Sequence, residues 1–283
     1  FSVKVNEAHR SIMDNYLAAK YAVVLADDDL YNEDDLAAGN FDHEVAGIGR
    51  VNATNLHDDA QGTAIVRILN PSDMDDGEFL MWGHNNSSLS LDKITDLPTD
   101  VLSMCNRTWR ASEMDLTGAS ADVGCIEMQW DLNGLGTYTA NELVLLVDRN
   151  NDGLFSDEFP IYGAVDLGGN IFSFDLVFQI TDNLRFTIAV TLPTPTPPLL
   201  HIITAIDTNV CLGENTSVEM VFNELPFEVN WNFGDGSFSS DIVDTVFHLY
   251  DAPGIYETEC LVIYGCHTDT FNFTMEVFPT PIV

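Results

Sequence analysis

The sequence predicts an all-β protein of two β-sandwich domains, the first carrying an N-terminal amphipathic helix. Short runs of alternating apolar and polar residues, punctuated by Gly, Asn and Asp, recur along most of the chain, as antiparallel strands require. Helical spacing is confined to the first residues. A stretch with four prolines in six residues, 193–198, forbids a helix or an interior strand and divides the chain. The length of 283 residues, 46% of them hydrophobic, fits about two domains at roughly 150 residues each.

Taken in order, Asn6 can cap a helix over about 6–26, in which Ile12, Met13, Tyr16, Leu17, Tyr21, Val24 and Leu25 recur at three- and four-residue spacing. Glu7, Arg10, Asp14 and Lys20 fall mostly on the other side. The acidic stretch 27–35 reads as a solvated loop. Strands are expected at 63–69, 78–82, 107–111, 125–130, 142–147, 171–180 and 184–190, completing a domain over 1–192. After the 193–198 linker, the domain over 199–283 is β throughout, with clear alternation at 218–222 and 256–263. Pro-Thr-Pro returns 86 residues later at 279–281, so this domain reads as one bead of a series in a longer product. A start at Phe1 with no export leader agrees with that expectation.

Charge narrows the function. Ten Lys and Arg face 45 Asp and Glu, for a net charge of -35, which repels nucleic acid and anionic membrane surfaces. No apolar run approaches the roughly 18 residues of a membrane helix, so membrane insertion is not expected either. All ten cations precede residue 193, and 13 acids with no Lys or Arg follow it. A domain without cations must live in high salt, bind divalent cations or tolerate self-repulsion, which points outside the cell.

The best ligand candidate is the run 148–158. Asp148, Asn150 and Asp152 place oxygens at loop positions 1, 3 and 5, Gly153 follows, and Asp157 and Glu158 close the run. This is the start of a calcium loop, with the Leu154 carbonyl as a further ligand. Phe159 stands where an EF-hand needs Glu, and a strand precedes the loop, so the expectation is a strand-flanked calcium (Ca2+) loop. The competing reading is an Asx-rich turn. The cluster 73–78 reads as a turn before a strand. No constellation for catalysis is present: His43-Glu44 lacks a second His, and no phosphate loop or nucleophile elbow occurs. The four tryptophans lie in alternating strands, where core packing is their expected fate. Five cysteines without a C-x-x-C spacing form neither a disulfide scaffold nor a zinc pattern. Cys105 and Cys125 flank neighbouring strands and either pair or stay reduced, while Cys260 reads as a buried thiol.

Trp231-Asn232-Phe233-Gly234-Asp235-Gly236, followed by His248-Leu249-Tyr250 and Pro253-Gly254-Ile255-Tyr256, resembles the signature of PKD (polycystic kidney disease-type) domains. These are immunoglobulin-like sandwiches of extracellular proteins, and the resemblance spans about 199–280. It implies a fold signature without a catalytic site, and a disulfide between Cys211 and Cys266. Residues 16–21, 42–50, 77–84, 107–110 and 145–155 make 10–192 similar to a β-rich module of multidomain surface adhesins that Bacteroidota export by type IX secretion. No activity follows from that similarity. The function expected is therefore a non-enzymatic extracellular or cell-surface module, structural or adhesive: a calcium-stabilised segment of a larger adhesin, or a filament subunit. Its expected partners are other surface modules, copies of itself in a fibre, or glycans. The second reading is an accessory part of a secreted hydrolase, as a substrate-binding or spacer module.

Overall fold

The computed structural model describes residues 5–34, 39–62, 65–193, 201–206, 208–222, 228–240, 245–265 and 267–280. The chain divides into two compact units, Phe1–Pro197 and Pro198–Val283. The 193–198 linker lies almost wholly outside the described residues.

In the first unit a helix, α1 (Glu7–Tyr21), precedes twelve strands: β1 (His43–Asn52), β2 (Asn55–His57), β3 (Asp59–Gln61), β4 (Val66–Leu69), β5 (Glu78–His84), β6 (Val101–Met104), β7 (Trp109–Asp115), β8 (Ile126–Asp131), β9 (Leu143–Asp148), β10 (Val165–Gly168), β11 (Ile171–Val177) and β12 (Arg185–Thr191). One antiparallel sheet runs β2-β1-β5-β7-β12-β6, with β9 also paired to β12; the other runs β10-β11-β8-β4-β3. Their inner faces close on one core. Ile48, Leu80, Trp82, Trp109, Leu145 and Phe186 meet Val66, Ile68, Met128, Trp130, Phe172 and Phe174. Trp109 stands edge-on to Trp130 with ring centres 5.2 Å apart, so these tryptophans fill the sandwich as expected.

The first sheet is also covered on its outer face. Ala8, Ile12 and Ala19 of α1, with Leu30 and Tyr31, pack on Val45, Phe79 and Met81. Farther along, Phe155 packs on Met104, Val144 and Leu146. With both faces covered, β9 has no wet side and is buried at every position, which explains its unbroken apolar run at 143–147.

The helix departs from expectation in length and in facing. Ala22 turns left-handed at φ 51 and ψ 50, and its N–H caps the carbonyls of Ala18 and Ala19, so α1 stops at Tyr21 rather than near 26. The buried face is Ala8, Ser11, Ile12, Asn15, Ala18 and Ala19, whereas Met13, Leu17, Tyr21 and Val24 are exposed. Small residues let the helix lie close on the sheet, and Asn15 decides the facing. Its Oδ1 accepts the Leu30 N–H at 2.8 Å, and its Nδ2 donates to the Asp28 and Ser11 carbonyls at 2.8 and 2.9 Å. That clamp also corrects the reading of 27–35 as a solvated loop, because Leu30, Tyr31 and Glu33 are buried. Tyr31 donates to the Phe41 carbonyl at 2.6 Å, across Gly83, where a Cβ would lie 2.5 Å from the hydroxyl.

The second unit is a two-sheet sandwich of eight strands: β13 (His201–Ile206), β14 (Asn209–Cys211), β15 (Thr216–Phe222), β16 (Glu228–Asn232), β17 (Phe238–Ser239), β18 (Thr245–His248), β19 (Gly254–Tyr264) and β20 (His267–Phe278). The sheets run β13-β15-β18 and β14-β20-β19-β16-β17. Trp231, Cys260 and Val262 fill the interior with Val218 and Met220, and the Cys260 thiol meets the Met220 sulfur across the sheets at 3.9 Å. Burial pushes that thiol's pKa up to about 12.

The Cys211–Cys266 disulfide implied by the resemblance is corrected, since Cys211 is a free thiol, and of the two alternatives for Cys105 and Cys125 the structure has Cys105 reduced. Cys211 pairs in register with Phe278, the last residue of β20. The start of that strand at His267, next in sequence to Cys266, is eleven residues away, roughly 36 Å at about 3.3 Å per residue. A disulfide spans Cα atoms only about 4.4–6.8 Å apart. Cys266 itself lies outside the described residues. Cys105 follows β6 in the first sheet, its N–H bonded to the Ile188 carbonyl at 2.9 Å. Cys125 enters β8 in the other sheet, its N–H bonded to Ser72 Oγ at 2.8 Å.

Candidate functional site

The 148–158 loop leaves β9 at its last residue and is pinned by Phe155, only 2% exposed beneath it. Asp148 is fully buried. Its Oδ1 accepts the Asp152 N–H at 3.1 Å, and its Oδ2 accepts the Gly153 N–H at 2.9 Å. Asn150 Oδ1 accepts from Asp152 N–H at 3.0 Å, and Asp152 Oδ1 accepts from Leu154 N–H at 2.8 Å. Glu158, also buried, accepts the N–H groups of Arg149 and Asn150 at 2.7 and 3.3 Å. The backbone thus winds around its own carboxylates in successive Asx turns.

Three partners were not foreseen. Arg185 Nη1 reaches Asp148 Oδ2 at 2.9 Å, and Arg149 Nη1 reaches Glu158 Oε2 at 3.2 Å. From outside the loop, Asp96 Oδ1 accepts the N–H groups of Phe155 and Ser156 at 2.9 and 3.1 Å. Arg185 sits opposite Asp148 in the β9–β12 register, so a strand-pairing argument was the one signal able to find it. Calcium needs several oxygens turned onto one point. Here both buried carboxylates already carry guanidinium groups, and Asn150 donates its amide N–H to Asp157 at 2.9 Å. No group of three or more His, Cys, Asp or Glu side chains is arranged to hold a metal among the described residues. As arranged, the loop does not fit a calcium ion. It is a turn braced by two arginines.

Two further acids are buried at the first sheet, Glu33 on its α1 side and Glu113 on the opposite face of β7. Glu33 Oε2 lies 2.8 Å from Arg110 Nε, whose N–H is aimed at the Asn183 carbonyl, so this contact is ionic. Burial lifts Glu33 to about 7 against the pull of Arg110. Glu113, 3% exposed, is likewise raised to about 7 by burial, although it accepts the Val123 N–H.

In the second unit the turn 232–237 gathers Ser237, His248 and Asp235. Ser237 Oγ and Asp235 Oδ2 both contact His248 Nε2, at 3.3 and 2.8 Å. A nucleophile and an orienting acid on one ring nitrogen cannot relay a proton through the imidazole, so this is a turn lock. Burial pushes Asp235 up, but hydrogen bonds from Ser237 and His248 outweigh it and hold it at about 2. Gly234 at φ +79 takes a path that a Cβ, 2.4 Å from the Glu257 carbonyl, would block.

A further concave feature lies beside the helix. A groove of about 540 Å3 runs between α1 and β1–β3, floored by Val45 and Ala46 and walled by Ile12, Met13 and Tyr16. At its end His9 and His57 stack 4.8 Å apart. Asn55 Oδ1 accepts the Glu7 N–H at 3.0 Å and Asn6 Nδ2 donates to the Leu56 carbonyl at 2.7 Å, tying the helix start to β2.

Fold and sites together define an all-β protein of two sandwich modules whose polar clusters brace loops. Residues 9–177 match the family described as Domain of unknown function (DUF8202). The match spans more than half of the chain, and the chain belongs to that family. No curated protein matches it. Among solved structures, the PKD1 domain of Vibrio anguillarum Epp is similar at 20% identity, covering 29% of this chain and 98% of that one, with a TM-score of 0.24. The amphioxus IgVJ-C2 molecule is similar at 10% identity, covering 53% and 96%, with a TM-score of 0.23.

Proposed function

We propose that the protein is a non-enzymatic structural or adhesive module of the cell exterior. The observation that supports this reading is the use made of its charged side chains. Arg185 with Asp148, Arg149 with Glu158, and Ser237 with His248 and Asp235 each tie a loop to the sheet that bears it. Such staples suit a rigid spacer that holds its shape without internal mobility. The charge of -35 suits the same setting, since it keeps a highly concentrated surface protein from collapsing onto its neighbours. Calcium enters this proposal only as a bulk counterion, the loop being braced by arginine instead.

The test is antibody labelling of intact cells of the source organism, paired with retention of chain-coated beads on those cells. Labelling without lysis, together with bead retention that free chain competes away, is expected. Labelling only after lysis, or turnover of a peptide or glycan library by the purified chain, would overturn the reading.

A further inference from the structure

We propose that His9 and His57 hold one divalent transition-metal ion of the class that prefers imidazole, such as copper or zinc, and that this ion ties the start of α1 to β2. Seven histidines occur in the chain, and the side chains of five are described. Three of the five are committed to carboxylates. His43 meets Asp42, His84 Nε2 meets Glu44 Oε2 at 2.8 Å, and His248 Nε2 meets Asp235 Oδ2 at 2.8 Å. His9 and His57 differ. Their rings stack on each other, centres 4.8 Å apart and planes 10° from parallel. Among the described residues, no hydrogen bond or ion pair engages a nitrogen of either ring. Two imidazoles, one from a helix and one from a strand, thus face each other with their nitrogens uncommitted.

Such a pair turns into a chelate at little cost. Neutral imidazole binds metal through either nitrogen, and the χ2 torsion of His is broad, so both rings can rotate without leaving their χ1 wells. Tilting them toward each other on one side brings one nitrogen of each to the roughly 3–4 Å separation that metal–nitrogen bonds of about 2.0–2.1 Å require. His9 is exposed and His57 half-buried, so water completes the coordination shell around the two side chains.

The surroundings select the ion. Both carboxylates that line the adjoining groove, Glu44 and Asp59, are already engaged. Glu44 meets His84, and Asp59 accepts from Arg67 Nε and Nη2 at 2.7 and 2.5 Å. Calcium and magnesium need several oxygens turned onto one point, whereas the pair presented here is two nitrogens, which suit copper, zinc and nickel. Asp58 and Asp59 lie near enough to His57 to draw a cation toward it, and the net charge of -35 raises the local concentration of cations. The groove between α1 and β1–β3 gives the ion a path to the rings. Once bound, it reinforces a junction held by the Glu7 N–H on Asn55 Oδ1 and by Asn6 Nδ2 on the Leu56 carbonyl.

Copper titration of the full chain, followed by electron paramagnetic resonance, tests the site. At one equivalent the copper signal is expected to show splitting from two nitrogen ligands. His9→Gln and His57→Gln are each expected to remove one of them and to weaken binding at least about tenfold, while His43→Gln changes neither. Circular dichroism of each variant should match wild type. Excess zinc over chelator is expected to raise the melting midpoint of the first unit, read by tryptophan emission, because an ion bound only to the native state stabilises it. The double variant should lose that rise. A copper signal from oxygen ligands alone, which marks an adventitious ion only, would overturn the proposal. So would an affinity indifferent to both histidines, or a midpoint that zinc does not move. Each of these results leaves the structural and adhesive reading standing, because that reading is tested on the cell surface.

Discussion

Replacing Arg185 by Met removes the guanidinium that neutralises Asp148 while keeping most of the side chain's volume. Asp148 is fully buried, and its carboxylate would retain only the two backbone N–H bonds from Asp152 and Gly153. Breaking one side of a buried ion pair costs about 3–5 kcal/mol. The Arg185 side chain is 23% exposed, so some solvent screening remains and the lower end, about 3 kcal/mol, is expected. For a unit of this size each kcal/mol moves the midpoint by about 2–4 °C, so Tm should fall by about 6–12 °C. Trp82, Trp109 and Trp130 belong to the first unit and only Trp231 to the second, so tryptophan emission on heating reports mainly the affected unit. A fall under about 2 °C would refute the arginine brace. So would a wild-type midpoint that rises by several degrees in calcium over chelator and loses that rise in Asp148→Asn with Asp152→Asn, because a ligand bound only to the native state must stabilise it.

Other expectations follow from the buried polar groups. Glu113 has a folded pKa of about 7 against an ordinary value of 4.5, so the folded state holds the proton more tightly. Its contribution therefore declines as pH rises from about 4.5 to about 7, by about 3 kcal/mol in all, and urea melts of Glu113→Gln should lack that part of the slope. Asn15→Ala orphans the buried Leu30 N–H and frees the 28–30 segment, for a loss of about 2–4 kcal/mol by the same melts. Thiol labelling of the native protein should reach Cys211, which is partly exposed, and spare Cys105 and Cys260, where burial raises the thiol pKa. Peptide mapping showing Cys260 modified before unfolding would contradict the packing of the second sandwich.

How much of this was legible in the sequence varies from element to element. Strands with one wet face, such as β8 with its alternating burial, were readable because alternation encodes a face. The short β2 and β3 left no such pattern. In α1 the Met13 to Tyr21 stripe has the right period and points the wrong way, because facing was decided by Asn15, whose partners at 28–30 no local window contains. The 148–158 loop was legible as a turn that gathers oxygens. Its counter-charge was not, since Arg185 is 37 residues from Asp148 and meets it only through strand register. The expected Cys211–Cys266 disulfide failed for the same kind of reason, the distance between two cysteines being a property of topology.

The pairing of β14 with β20 is parallel, Asn209 to Cys211 against Glu276 to Phe278, while β19 and β20 are antiparallel over eleven residues. The parallel pair joins the second strand of the unit, which follows β13, to its last strand. Once β13 has been drawn off β15, tension through the chain at β14 and at the end of β20 would load the cross-strand bonds of this pair together, in shear, instead of opening them one after another from a loose end. The short β14 would then act as a force latch: the unit would hold up to a threshold and give way in a single step.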